Sequence, residues 1–137
     1  MSLVLDTSVA LAWVYSDESS KPVEDVFAQV TAGGAWVPAL WRLEIANVLE
    51  MGVRRGRHTA SFRDATLADL ALLPINIDPD TNQHAWGATV QLAKQHRLTA
   101  YDAAYLELAL RRSLPLATLD EELRVAAGAE GVELLGQ

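Results

Sequence analysis

The 137-residue chain contains no cysteine. That absence removes thiolate nucleophiles, disulfides, iron–sulfur clusters and cysteine-based zinc sites, and leaves oxygen and imidazole chemistry. Long apolar runs are also missing. The longest, Val9 to Tyr15, is far short of the roughly 20 residues that cross a bilayer. Met1–Ser2–Leu3 places no basic stretch ahead of a signal sequence, so a cytoplasmic protein with no membrane partner is expected. Histidine is scarce, and His58, His84 and His96 match no zinc spacing and no His–Glu motif. No serine sits in a Gly-x-Ser-x-Gly elbow, and Gly33–Gly34 lacks the Lys–Ser/Thr of a phosphate loop. Basic residues are outnumbered 11 to 18, a formal charge of −7, which argues against a nucleic-acid partner because phosphate binding favours a basic face. What is present is apolar: half the residues, enough at this length for one domain over residues 1–137 with an ordinary core.

Short runs with strand character recur at Leu3–Leu5, Ala35–Val37, Pro74–Ile77, Leu116–Thr118 and Val132–Leu135. Between them apolar residues recur at three- and four-residue spacing, predicting helices over Ser8–Tyr15, Pro22–Val30, Trp41–Arg55, Thr59–Leu73, Pro79–His96, Asp102–Arg112 and Asp120–Ala127. Gly33–Gly34, Gly56, Gly128 and Gly131 follow helices, and Asp78–Pro79 reads as an N-cap with a first-turn proline. Alternation of strand and helix is the α/β signature. Such sheets are covered on both faces and bind ligands beyond the carboxyl ends of their strands. A helix that directly follows a strand begins at that edge. So does a helix that directly precedes one, because it runs antiparallel to the strand it feeds.

Applied to acidic residues, this rule brings four together. Asp6 closes the first strand, and Glu44 lies in the first turn of the helix after the second. Asp102 opens the helix that feeds the Leu116 strand, and Asp120 lies just past that strand's end. Each has an ordinary structural role available. Asp6 and Asp120 suit helix caps, Thr99 to Asp102 fits a capping box, and Glu44 suits a first turn, where Asn47 three residues on could hold its carboxylate. Jointly they do not. Four carboxylates at one edge repel and raise one another's pKa values unless a cation neutralises them, and a hard divalent ion, Mg²⁺ or Mn²⁺, meets that need with oxygen ligands. Carboxylate-bound Mg²⁺ accepts a phosphate oxygen and lowers the pKa of a bound water, which points to phosphodiester or phosphoryl transfer. Ser8 and Thr118, two residues from their acids, are placed to orient ligands, or alternatively to cap the helices that follow.

Four stretches carry a resemblance: Leu3–Val4–Leu5–Asp6–Thr7–Ser8, Leu43–Glu44–Ile45–Ala46–Asn47–Val48–Leu49, Tyr101–Asp102–Ala103–Ala104–Tyr105 and Ala117–Thr118–Leu119–Asp120–Glu121–Glu122–Leu123. In order and spacing they resemble the motifs of PIN-domain ribonucleases, closest to the VapC toxins of prokaryotic toxin–antitoxin pairs. The resemblance implies a five-stranded parallel sheet in order 3-2-1-4-5 and an acidic quartet of Asp6, Glu44, Asp102 and Asp120 that binds metal. It implies Asp6 and Asp102 as the principal ligands, Glu44 direct or through water, and Asp120 helping to hold a water or a second ion. It further implies RNA cut by metal-activated water, a homodimer, and a cognate VapB-like antitoxin whose own segment occupies the cleft.

Two further features bear on partners. Leu11, Trp13, Val14, Tyr15, Trp36, Leu40 and Trp41 supply either core or a groove for a second copy or antitoxin. Arg42, Arg54, Arg55, Arg57 and Arg63 gather nearly half of the basic residues in one stretch and are candidates for an RNA-facing patch, although cations also belong in the last turn of a helix. An alternative reading is an aspartyl phosphoacceptor or phosphatase domain acting through Asp6. Against it, Asp6 is followed by Thr7–Ser8 rather than a second acid, and no lysine closes a late strand. A catalytically silent PIN-like binding module is the other alternative, and the complete quartet speaks against it. Setting the four site carboxylates aside leaves 14 acids against 11 bases, a residual of −3, so much of the acidic balance reads as a metal site.

Overall fold

Leu3, Val4 and Leu5 are all fully buried, and because successive residues of a strand face opposite ways, both faces of the strand they form are covered. In the computed structural model, which describes residues 2–137 and leaves Met1 outside the described residues, that strand is the centre of a five-stranded sheet. The strands are β1 (Val4–Leu5), β2 (Ala35–Val37), β3 (Ile75–Ile77), β4 (Leu116–Ala117) and β5 (Leu134–Leu135). All pairings are parallel, in the order β3-β2-β1-β4-β5, with Val4 opposite both Trp36 and Leu116. This is the α/β architecture and strand order that the resemblance implies. The ends of β1, β3, β4 and β5 are trimmed by one or two residues relative to the apolar runs.

The helices are α1 (Thr7–Val14), α2 (Lys21–Gly33), α3 (Trp41–Arg54), α4 (Ala60–Leu70), α5 (Thr81–His84), α6 (Val90–His96), α7 (Ala100–Arg112) and α8 (Glu121–Ala129). Side chains cap several of them: Thr99 accepts from Asp102 N and Asp120 from Leu123 N, as the sequence suggests, and Ser20 accepts from Val23 N and Thr59 from Phe62 N. Gly34 ends α2 at φ +78°, and a Cβ there would stand 3.0 Å from the Pro74 carbonyl oxygen, so the tight passage into β2 requires glycine. Helix α7 is the central one. Every residue from Ala103 to Ala109 is buried, as expected of a helix packed on several sides, and it contacts β1, β4 and α8.

Two expectations are corrected and one pair of alternatives is decided. The segment Pro79–His96 is not one helix. A π turn over Ala85–Thr89 separates α5 from α6, with Gly87 at φ −112°, ψ −106°, outside the regions open to residues with a Cβ. The apolar periodicity ran through the break because Gly87 changes the backbone without changing the spacing of the buried residues. Asp78 does not cap a helix. Its carboxylate is buried and pairs with Arg111 Nη2 at 2.6 Å, while the N-cap position of α5 falls to Asp80. Of the apolar residues offered as core or groove, Tyr15 and Trp41 are buried in the core and Leu11, Trp13, Val14 and Trp36 pack against it. Core wins for these. Leu40 lines an open apolar groove.

Candidate active site

Asp6 follows β1 directly and occupies the N-cap position of α1, yet its side chain makes no capping bond to the helix. Instead Oδ2 accepts hydrogen bonds from Ser8 Oγ at 2.6 Å and Thr118 Oγ1 at 2.8 Å. Both hydroxyls also accept, from Leu119 N at 2.9 Å and Asp120 N at 3.0 Å respectively, so the ends of β1 and β4 are knitted together around one carboxylate oxygen. Burial pushes the Asp6 carboxyl above its ordinary range. The Ser8 and Thr118 hydroxyls oppose that shift, and the charge of Asp120 adds to it.

Glu44 enters from the first turn of α3. Its Oε1 accepts from Thr7 Oγ1 at 3.1 Å and from the Tyr105 hydroxyl, and those two hydroxyl oxygens stand 3.0 Å apart. Asn47, proposed as its partner from helical spacing, is exposed and lines a different cleft beside Tyr15 and Arg57. Burial raises the Glu44 pKa, the Tyr105 and Thr7 hydrogen bonds oppose the rise, and the charges of Asp6 and Asp102 reinforce it. Tyr105 itself is held far above the ordinary phenol range by burial and by the Glu44 and Asp6 charges, so it is a hydroxyl donor at any working pH.

Asp102 stands in the first turn of α7. The Thr99 hydroxyl caps the Asp102 amide at 3.1 Å, one half of the expected capping box. Burial raises the Asp102 pKa, followed by the charges of Asp120 and Asp6. Asp120 does cap a helix, with Oδ1 accepting from Leu123 N at 2.9 Å. The four carboxylates therefore sense one another across the carboxyl edge, as like charges must in a partly buried site. Tyr105 and Thr7 are the contributors that sequence reasoning missed. The available signal was spacing: Tyr105 lies three residues after Asp102, on the same helical face.

Among the described residues, no three acidic or imidazole side chains stand close enough to enclose an ion. The donor chemistry fits a hydrated divalent cation nonetheless. Mg²⁺ keeps several waters and is held by one or two carboxylates rather than by a closed cage. The elevation of Asp6, Glu44 and Asp102, by burial first and by neighbouring carboxylate charges second, is the electrostatic demand such an ion would relieve.

The arginines divide by position. Arg42 is exposed in the first turn of α3, two residues from Glu44. Arg54 lies ten residues beyond Glu44, about 15 Å along the helix axis, and Arg54, Arg55 and Arg57 gather at that far end. Arg54 pairs with Glu50 at 2.9 Å, and Arg57 reaches Asp17 at 3.3 Å and lies over the Tyr15 ring. A patch contiguous with the acids does not form there. Beside the acidic edge lies an apolar groove instead, with Leu43, Trp86, Val90 and Tyr101 exposed and Leu40 at its wall.

The sequence matches the family model of the PIN domain over residues 3–129. This chain belongs to the PIN domain family. Solved structures similar to this PIN domain include PAE2754 from Pyrobaculum aerophilum, at 21% identity and a TM-score of 0.71, covering 98% of this chain and 83% of the other. FitAcB from Neisseria gonorrhoeae is 18% identical with a TM-score of 0.67, covering 98% and 96%. VapBC2 from Rickettsia felis, solved bound to a DNA fragment from their promoter, is 10% identical with a TM-score of 0.63, covering 98% and 97%. At these identities the likeness is one of fold. A sequence comparison with curated proteins found no match. No helix among the described residues is long and apolar enough to cross a membrane.

Proposed function

We propose that this PIN domain is a Mg²⁺-dependent ribonuclease, with Mn²⁺ as a substitute, and the toxin of a VapBC-type pair. One observation carries the reading: Asp6, Glu44, Asp102 and Asp120, from four distant stretches of a PIN domain, lie at the carboxyl edge of the sheet, where burial first and neighbouring carboxylate charges second raise the pKa values of Asp6, Glu44 and Asp102. When bound, the cation supplies a water of lowered pKa and charge for the phosphate oxygens. The chain's own part is positional. Asp6 and Asp102 are the principal ligands, Glu44 and Asp120 complete the set, and Ser8 and Thr118 hold the Asp6 carboxylate in place. Arg42, exposed in the same turn as Glu44, is the arginine best situated for an RNA phosphate. Arg54 and Arg57 are engaged with acids at the other end of α3, and Arg55 lies with them.

The partners proposed are RNA, a second copy of the chain and a VapB-like antitoxin, in the cytoplasm. The apolar groove around Leu43, Trp86 and Tyr101 supports a protein partner, since exposed apolar surface of this kind marks interaction sites. The test is cleavage of single-stranded or loop RNA by the purified protein. Activity with Mg²⁺ or Mn²⁺, its loss with EDTA, and its loss in folded Asp6→Asn and Asp102→Asn are expected. Undiminished cleavage by both variants would overturn the proposal. Stable phosphorylation of Asp6 by acetyl phosphate would favour the phosphoacceptor alternative instead.

A further inference from the structure

The Glu44 carboxylate is gripped by side chains from two other elements, Thr7 at the start of α1 and Tyr105 in α7. The three oxygens form a closed triangle, because Thr7 Oγ1 and the Tyr105 hydroxyl also lie 3.0 Å from each other. Two hydroxyl protons serve it. With Glu44 ionised, both point at Oε1, since a carboxylate accepts more strongly than a hydroxyl does. Among the described residues Oε2 has no hydrogen-bond partner. Asp6 repeats the arrangement, with two hydroxyls on Oδ2 and none on Oδ1. A fully buried tyrosine needs a partner for its hydroxyl, but Thr7 alone would satisfy Tyr105. Closure of the triangle on Glu44 asks for a further reason.

We propose that Tyr105, together with Thr7, is a positioning residue that occupies Oε1 of Glu44 and so presents Oε2 as the single oxygen offered to a divalent cation. The inference rests on the metal-dependent reading above. A carboxylate held by one oxygen would contribute one ligand and leave the ion's other positions to water and substrate. Loss of the Tyr105 hydroxyl frees the carboxylate to rotate about its last torsion, which for a glutamate is broad and weakly restrained, and affinity falls because the ion must then order its own ligand.

The test is Mn²⁺ binding followed by the electron paramagnetic resonance signal of the free ion, on the wild-type chain and on Tyr105→Phe, Thr7→Val and Thr7→Ser. Thermal melting in EDTA runs alongside to show that each is folded. Tyr105→Phe is expected to bind Mn²⁺ about 10- to 100-fold more weakly, the range seen when a hydrogen bond to a metal ligand is removed. Thr7→Val should follow it, whereas Thr7→Ser, which keeps the hydroxyl, should stay within about threefold of wild type. In cleavage assays the Tyr105→Phe defect should appear as a higher Mn²⁺ requirement and should shrink at saturating ion. Wild-type binding with equal affinity in folded Tyr105→Phe and Thr7→Val would overturn the positioning role and leave the metal site standing. No Mn²⁺ binding by the wild-type chain would overturn the metal reading itself, and this inference with it.

Discussion

Thr118 Oγ1 donates to Asp6 Oδ2 at 2.8 Å across 112 residues of sequence. The same hydroxyl accepts from Asp120 N, so it links two acids of the quartet to the end of β4. Replacing it by valine preserves shape and removes the link. Thr118→Val is expected to weaken Mn²⁺ binding about tenfold or more and to lower melting temperature, since the amide of half-buried Asp120 loses its acceptor. Titration and melting in EDTA read the two effects separately.

Asp6→Asn should abolish metal binding and RNA cleavage. In EDTA its stability should equal or exceed that of the wild type, because an elevated carboxyl pKa marks an ionised group that burial penalises. A large fall in melting temperature would mean that Asp6 serves the fold before it serves chemistry.

The pH dependence follows with a definite sign. Asp6, Glu44 and Asp102 have folded pKa values raised above the ordinary 3.8 to 4.5 of free carboxyls, so in that window the folded state holds more protons than the unfolded chain. Stability then falls as pH rises from the ordinary carboxyl range through the folded values. Metal-free protein should therefore melt higher near pH 5 than at pH 7.5. The difference should narrow in Asp6→Asn and on addition of Mg²⁺.

The buried Asp78 behaves in the opposite sense. Burial alone would raise its pKa. Hydrogen bonds from Arg111 and Thr81 and the Arg111 charge outweigh burial, so the net shift is downward. Its contribution is present above the unfolded pKa and lost as pH falls through the folded one. Arg111 also grips Glu107 at 2.8 Å, and the Arg112 guanidinium lies 3.5 Å over the Trp36 ring. Arg111→Ala is expected to cost about 3–5 kcal/mol in urea unfolding, because the Asp78 carboxylate, 1% exposed, is left short of its main countercharge. Asp78→Asn combined with Arg111→Met should recover part of that loss.

Gly52 sits under the imidazole of His58, where an added Cβ would come within 2.3 Å of Nε2. The same nitrogen is 2.9 Å from the Tyr15 hydroxyl, and the ring lies between Tyr15 and Phe62. Helix propensity alone would make Gly52→Ala stabilising by up to about 1 kcal/mol. Displacing a packed ring costs about 1–3 kcal/mol, so a net loss in urea unfolding is expected. A net gain would show that the ring swings aside freely.

Strand and helix alternation, parallel pairing and the edge on which four acids meet were legible because they depend on near neighbours. Leu3–Leu5 is apolar on both faces, Thr99 and Asp120 cap their helices, and a parallel sheet sends every such helix start to one edge. The Asp78 assignment failed for a related reason: a helix cap is the local use of an aspartate before proline, while its actual partner lies 33 residues on. The continuous helix over 79–96 failed because the buried positions keep their spacing through the turn at Gly87.

By itself, then, the sequence determined the class of fold, its order of elements and the identity of the acids at its edge, all of which follow from periodicity within a few residues. Tertiary structure alone decided which oxygens of Asp6 and Glu44 the protein occupies. The Glu44–Tyr105 and Asp6–Thr118 contacts join residues 61 and 112 positions apart, and no local pattern constrains a hydrogen bond whose two ends meet only after the sheet has closed. The arginines divide in the same way. Their clustering is visible along the chain, but the rise of α3 carries Arg54 away from Glu44 and toward Glu50, and that is a property of the folded helix.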